Sequence, residues 1–338
     1  MEIKYDIIII EEGTPIIDSE TALLLSLIDK KGSLLKAVRE LGIPYSRAWE
    51  KINKAEKILG EKLVETWKGG GRKGGTRLTP RAVELVRILE SHMKVLEQCI
   101  GKNKAYRAPV KPPDLIVSYS HDHLIELAVE EARKNGLLVE GIHPGSSRAL
   151  AMLSLGETDI ACIHLFDSEK SQYNKTYLEK YYIEKPVLLG GFLRELVMAY
   201  NPSYSFESLG EILDELNKGI LSLANRNDGS GTRVYLDFLL SSHNVDTAKV
   251  KGYNRKFYTH DETVKAIALG MSGVGLVARY YAERYGLPFV HVTWERYECY
   301  TTGNKIDNRG VKVFRDILNS EWMKELVGRL PGYKALRH

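Results

Sequence analysis

Apolar positions in the first hundred residues recur at helical spacing in three stretches, and the breaks between them fall at glycine and proline. Leu34, Leu35, Ala37, Val38 and Leu41 make one short amphipathic face, with Ser33 as its N-cap and Gly42 as its stop. Pro44 suits the first turn of the next helix, where its missing N–H costs nothing, and Ala48, Trp49, Ile52, Ala55, Ile58 and Leu59 carry the apolar stripe onward. Trp49, lying on that stripe, is expected to pack in the core. After Thr79-Pro80 a longer amphipathic helix runs through Val83, Leu85, Val86, Ile88, Leu89, Met93, Val95 and Leu96, and is a natural dimerisation helix. The opening MEIKYDIIIIEEGTPIID holds an apolar run flanked by acids; it reads as a strand, not a signal peptide or membrane anchor.

Residues 101–113 break the pattern, with three prolines and few core residues, and are expected to be a linker of limited flexibility. Beyond it strand and helix signals alternate: DLIVSYS, the helix HDHLIELAVEEARKNG, LLVEGIHP, the helix SRALAMLSLGE, and DIACIHL. Such alternation favours a parallel α/β sheet. The expected organisation is therefore a domain over 1–100, a linker over 101–113 and a second domain over 114–338. No stretch approaches the length needed to span a bilayer. The three cysteines, Cys99, Cys162 and Cys299, have no metal-ligand spacing and read as reduced thiols. Together these features point to a soluble cytoplasmic protein with no membrane partner.

Charge divides unevenly. Residues 1–110 hold 20 Lys+Arg against 15 Asp+Glu, an excess of +5, while residues 111–338 hold 28 against 29, or −1. The excess matches a nucleic-acid-binding half. Tyr45, Ser46, Arg47, Glu50 and Lys51 are left on or near the open face of the second helix, where a recognition helix presents polar residues to base edges. A glycine-rich turn follows, KGGGRKGGTR, carrying Lys68, Arg72, Lys73 and Arg77 without an acid. Glycine permits the sharp turn and cations meet phosphates, so the whole reads as an α+β winged helix-turn-helix. Ser33 joins these residues as a candidate DNA contact.

In the second half three strand-to-helix turns share small hydroxyl residues: Ser118 to His121, Gly145-Ser146-Ser147, and Asp228 to Thr232. Helix N-termini attract anions through free N–H groups and the helix dipole, although serine and threonine are also common N-caps. GSGT is not a P-loop, because no GK[ST] follows. There is no nucleophile elbow, HExxH or CxxC pair, and Ser230 lacks a nearby histidine with a partner, so the chain is not expected to be an enzyme.

GSLLKAVRELGIPYSRAWEKIN, LGEKLVE and the KGGGRKGG wing ending in LTP resemble the DNA-binding domain of ModE-type molybdate-responsive repressors, relatives of LysR-type winged helices, from about Thr21 to Leu89. The resemblance implies a homodimer, or a higher oligomer, reading an inverted-repeat operator in double-stranded DNA. Those repressors usually carry small β-barrel oxyanion modules downstream, and nothing after residue 110 looks like one. Instead SYSHDHLIELA, GSSRALAMLSLGETDIACIHL, GGFLRELVMAYNP, NRNDGSGTR and ETVKAIALGMSGVGL resemble, in that order, a periplasmic-binding-protein-like domain. NRNDGSGT is similar to the R-x-D-x-S-G-T segment of tungstate-binding proteins.

This second resemblance implies two α/β lobes of the type II arrangement, joined by crossover strands at Leu196 to Tyr200 and Val290 to Thr301, closing on molybdate or tungstate as effector ligand. Neutral hydroxyls and N–H groups would hold the dianion. Ser118, Ser120, Ser146, Ser147, Ser230 and Thr232 match those loops, with N–H groups at Gly145 and Gly231 and a further hydroxyl at Thr263. Arg226 and Arg233 are placed either to reach the anion or to form ion pairs; His121 and His143 read as structural. No metal site and no catalytic cofactor are expected. The reading is a one-component transcriptional regulator sensing an oxyanion. The alternatives are a regulator of another small ligand, such as a pterin or organic anion, and a storage protein dimerised by its winged domain.

Overall fold

The isoleucine-rich opening forms a hairpin where one strand was expected: β1 (Ile8–Glu11) pairs antiparallel with β2 (Thr14–Asp18). The computed structural model describes residues 6–11, 14–67, 75–100 and 113–336. These fall into two compact units, Met1–Asp114 with Leu155–Glu157, and Leu115–Ser154 with Thr158–His338.

In the first unit Asp18 caps α1 (Ser19–Lys31), its carboxylate accepting from the Thr21 backbone N–H at 2.7 Å, and Gly32 ends the helix in the left-handed region. Ser33 caps α2 (Leu34–Leu41), and Gly42 stops it at φ 67°, a conformation glycine adopts without strain. Pro44 precedes α3 (Tyr45–Leu59). β3 (Val64–Trp67) and β4 (Gly75–Leu78) pair antiparallel, Val64 opposite Leu78, and α4 (Pro80–Ile100) closes the unit. Leu24, Leu25, Ile28, Leu34, Ala37, Ile52 and Leu63 are buried between these elements, each large one contributing about 1.5–3 kcal/mol. Buried Glu56, on α3, accepts from the Leu63 and Val64 amides at 2.9 and 3.3 Å and so fixes where β3 leaves the helix. Trp49 is half-buried. The linker expected over 101–113 lies, but for its last residue, outside the described residues.

The second unit begins with β5 (Leu115–Tyr119), α5 (His123–Lys134), β6 (Val139–Ile142), α6 (Ser146–Leu155) and β7 (Ile160–Ile163). A small hairpin of β8 (Phe166–Asp167) and β9 (Gln172–Tyr173) leads to α7 (Lys175–Lys180) and the long β10 (Pro186–Tyr200). Then come α8 (Leu209–Asn217), β11 (Asn225–Arg226), α9 (Gly231–Ser242), β12 (Lys256–Phe257), α10 (His260–Ala268), β13 (Val274–Ala278) and α11 (Arg279–Arg284). The chain returns along β14 (Phe289–Thr302) and ends in α12 (Arg309–Leu318), α13 (Glu321–Arg329) and β15 (Tyr333–Ala335).

The main sheet runs β13-β10-β14-β7-β5-β6, with β15 also on β10. Only β5–β6 and β5–β7 are parallel within it; β10 pairs antiparallel with β13, β14 and β15, and β14 with β7. The expectation of a parallel sheet is thus corrected to a mixed one, because the crossovers are themselves sheet strands. β10 and β14 pair from Pro186 opposite Thr302 to Ala199 opposite Phe289. One end of this ribbon enters a core with Leu115, Val117, Phe192, Tyr297 and Phe314, and the other a core with Leu196, Met198, Leu213, Leu236 and Leu276. Two lobes result, joined by both strands. The outward strand begins ten residues before the expected Leu196, since Gly190 and Gly191 disguise its first part.

Two of the cysteines are not thiols. Cys162 and Cys299 stand opposite each other on β7 and β14 and form a disulfide, with Cα atoms 3.9 Å apart. Residues 137 apart in sequence become neighbours only through sheet register, so spacing did not reveal the pair.

Candidate functional site

On the first unit Ser46 and Arg47 are exposed, whereas Tyr45 is buried and does not stand on the open face. The reason is position: the first residue of α3 faces the same side as Ala48 and Ile52. The Ser33 hydroxyl accepts from the Lys36 N–H at 3.4 Å as an N-cap. Arg47 meets Glu20 at 2.9 Å, and Lys51 meets Asp18 at 2.5 Å and Glu20 at 3.1 Å. Burial opposes ionisation at both Asp18 and Lys51, but their mutual hydrogen bond and charge prevail, lowering the one pKa and raising the other. Any phosphate reaching these cations competes with two carboxylates. Arg77 pairs across the hairpin with Glu65 at 2.8 Å. Lys68, Arg72 and Lys73 lie outside the described residues.

In the second unit the first hydroxyl turn is not free to bind with its helix end. Asp122 caps α5, accepting from Leu124 N–H at 2.8 Å and Ile125 N–H at 3.3 Å. Ser118 points under α6, its hydroxyl donating to the carbonyls of Ala149 and Ile160 at 3.4 and 3.3 Å. The other two turns touch each other. Ser147 N–H donates to the Gly229 carbonyl at 3.0 Å, and a Cβ on Gly145, at φ +92°, would lie 3.4 Å from the Ser230 nitrogen. Ser230 precedes α9 without using its hydroxyl as a cap. Gly231 allows α9 to approach β7: a Cβ there would be 2.4 Å from the His164 carbonyl oxygen and 2.6 Å from its ring. Gly231→Ala should therefore cost about 1–3 kcal/mol through overpacking, seen as a lower melting temperature; unchanged melting would contradict that tight fit.

His164 ties these turns together. Its backbone N–H donates to Ser146 Oγ at 3.2 Å, and its Nδ1 lies 2.7 Å from Glu295 Oε2. A neutral imidazole with a carboxylate at Nδ1 carries its proton there. Nε2 is then an acceptor, 2.9 Å from Ser120 Oγ, and the Ser120 proton is committed to it. Behind them Arg194 is fully buried between Glu295 at 2.6 Å and Asp122 at 2.8 Å, and its guanidinium lies over the Tyr297 ring. Arg194 and Glu295 are opposite one another on the crossover strands. Burial works against the Arg194 charge, but the two carboxylates outweigh it and raise its pKa; burial likewise opposes the Glu295 charge, which Arg194 and His164 restore. Tyr333 donates to Asp122 at 3.0 Å, tying β15 to the same network.

Arg226 is different. It is 2% exposed and forms no ion pair among the described residues; Nε and Nη2 donate to the Phe257 and Tyr258 carbonyls at 3.3 and 2.8 Å, and Nη1 has no hydrogen-bond partner. Burial, with Arg194 nearby, pushes its pKa down to about 10. Also without hydrogen-bond partners among the described residues are the hydroxyls of Ser230, Thr232 and Tyr281 and the Nε2 of His260, all buried. A buried donor left unmade costs about 1–3 kcal/mol, and an unpaired buried charge more. Arg233, by contrast, pairs with Asp237 at 2.8 Å and packs on Tyr253. Thr263 returns its hydroxyl to the Thr259 carbonyl at 2.9 Å.

The geometry thus gathers Gly145, Ser147, Ser230 and Gly231 by contact and Ser120 and Ser146 through His164. It turns Ser118, Thr263 and Arg233 away into bonds of their own. Sequence reading missed His164, Arg194 and Glu295. Arg194 interrupts an apolar strand, the one signal available, but its carboxylate partner lies a hundred residues away.

Two α/β lobes bridged by a pair of long antiparallel strands, with polar turns meeting between them, define a two-lobed binding domain. The model of the PBP superfamily domain matches residues 129–319, and the chain belongs to that superfamily. A structure described as the substrate-binding protein of a phosphate ABC transporter from Clostridium perfringens, with bound phosphate, shares the fold. Its TM-score is 0.52 at 13% identity, covering 66% of this chain and 99% of that one. The uncharacterized protein YvgK of Bacillus subtilis (strain 168) is 28% identical over 193 residues, 57% of this chain and 62% of its own. The molybdenum transport protein ModE of Herbaspirillum seropedicae is 39% identical over 72 residues, 21% of this chain and 27% of its own. The chain therefore spans less than two thirds of either relative. Among the described residues no helix is long and apolar enough to cross a membrane.

Proposed function

We propose that the chain is a one-component transcriptional regulator whose second unit senses a tetrahedral oxyanion, molybdate or tungstate, and whose first unit is a winged helix-turn-helix binding double-stranded DNA. The observation that carries the sensor reading is Arg226, a buried cation with no carboxylate partner among the described residues, in the company of unpartnered buried donors. A bound anion supplies the missing charge and acceptors together. The likeness to ModE, over 72 residues of a protein named for molybdenum transport, is the ground for taking molybdate first among tetrahedral oxyanions, with tungstate beside it for its equal charge and shape.

For the DNA half the reading rests on two short helices separated by Gly42, followed by the β3–β4 hairpin. Dimerisation through α4 is supported by its outer half: Ile88 and Val95, seven residues apart on one helical face, stay 41% and 58% exposed. An inverted-repeat operator would follow from such a dimer.

The test is a gel shift on the chain's own promoter region, with and without sodium molybdate or tungstate; anion-independent binding would remove the sensor coupling, and no binding the regulator reading. Arg47→Ala and Lys51→Ala should each weaken operator binding by roughly 1–3 kcal/mol and random DNA less. Equal losses on both DNAs would limit them to phosphate contact.

A further inference from the structure

We propose that His260 and Tyr281 are ligand-binding residues, extending the anion site from the hydroxyl turns onto the start of α10 and onto α11. The proposal rests on the oxyanion reading of the second unit and deepens it. His260 opens α10, after Thr259, whose hydroxyl caps the helix by accepting from Glu262 N–H at 3.0 Å. Its ring is fully buried, and Nδ1 accepts from the Ala278 amide at 3.3 Å. In the neutral ring the proton therefore sits on Nε2, and that N–H has no partner among the described residues. The Tyr281 ring stacks on His260 with centroids 5.2 Å apart, and its hydroxyl is buried and equally unpartnered.

The groups around this pair do not satisfy it. His121, from the opposite lobe, brings its ring within 5.9 Å of His260 and 5.1 Å of Tyr281. Its Nδ1 already accepts the His260 backbone N–H at 3.3 Å, and its Nε2 faces Glu126 at 3.5 Å. Burial, with the positive charge of Arg226 and Arg194, keeps His260 neutral, while Asp122 and Glu126 bring negative charge toward Tyr281. The edge thus offers an N–H and a hydroxyl that no acceptor among the described residues receives. A ligand oxygen that carries no proton and accepts from both groups, as an oxyanion's does, fits that edge; a ligand that presents only donors does not.

Tyr281→Phe removes an oxygen that no group among the described residues uses, and His260→Gln retains a distal N–H whereas His260→Phe does not. Titration calorimetry on the full chain, freed of bound anion, would use sodium molybdate and sodium tungstate. Tyr281→Phe and His260→Phe should each weaken binding by roughly tenfold or more, with His260→Gln closer to wild type. The ligand-free melting temperature of Tyr281→Phe should hold or rise. Wild-type affinity in both Phe variants would overturn the proposal while the oxyanion reading stood, as would a fall in ligand-free stability with unchanged affinity. A wild-type chain that binds neither anion would overturn the oxyanion reading, and this proposal with it.

Discussion

Arg226→Met is expected to remove molybdate and tungstate binding, weakening it at least a hundredfold, while leaving the ligand-free protein as stable as wild type or more so. The two halves of this expectation come from one fact. Removing one member of a buried ion pair usually costs 3–5 kcal/mol, because its partner is left charged and alone. Arg226 has no such partner among the described residues; its guanidinium leans on two carbonyls. Methionine keeps most of the apolar stem and removes a charge whose burial already depresses its pKa to about 10. With an anion in place the balance reverses, since a charge-assisted hydrogen bond in a dry site contributes about twice a neutral one. Arg194→Met is the control: it strands Glu295 and Asp122, so the ligand-free protein should lose stability. Calorimetry and thermal melting together decide it. A large stability loss in Arg226→Met would reveal a structural arginine, and unaltered affinity would place the anion elsewhere.

That contrast also marks how far the sequence could be read. Local features were legible: the Ser33 cap, the Gly42 stop, α4 opening at Pro80, and the strand and helix succession from β5 to β7 all lie where periodicity and caps put them. Arg226, Ser230 and Gly231 were legible as candidates because one short segment carries them. What failed was everything decided by pairing across distance. Arg194 meets Glu295 through the register of two crossover strands, and Cys162 meets Cys299 through another. His260 reads as an ordinary histidine in an amphipathic helix until the Ala278 amide, eighteen residues on, fixes its tautomer. Ser118 failed differently, since a hydroxyl motif does not say which face of the strand the residue occupies.

The second unit should be unusually sensitive to mild acid. His121, His164 and His260 are all buried, and burial, the largest cause at each, lowers their pKa values below 6.5, that of His121 to about 2. Charges add to this at His121 and His260, where Arg226 repels a second cation; at His164 the pull of Glu295 only partly offsets burial. In the unfolded chain the same rings titrate near 6.5, so below that pH the unfolded state holds more protons. The sign follows: their contribution to stability is fully present above about pH 6.5 and is lost as pH falls from there toward the depressed folded values. Each ring contributes a slope of up to about 1.4 kcal/mol per pH unit between 6.5 and its folded value. His121 alone, with its folded value at about 2, amounts to roughly 2 kcal/mol by pH 5, and His164 and His260 add to it in the same direction. Glu295, lowered below 4.5, adds nothing to this window and acts only at lower pH. Melting of the full chain followed from pH 8 to pH 5 should show a steep fall in the transition of the second unit. His121→Gln should flatten the slope by about one proton's worth. A melting temperature that holds constant from pH 7 to pH 5 would mean that these histidines open to water before they take up protons.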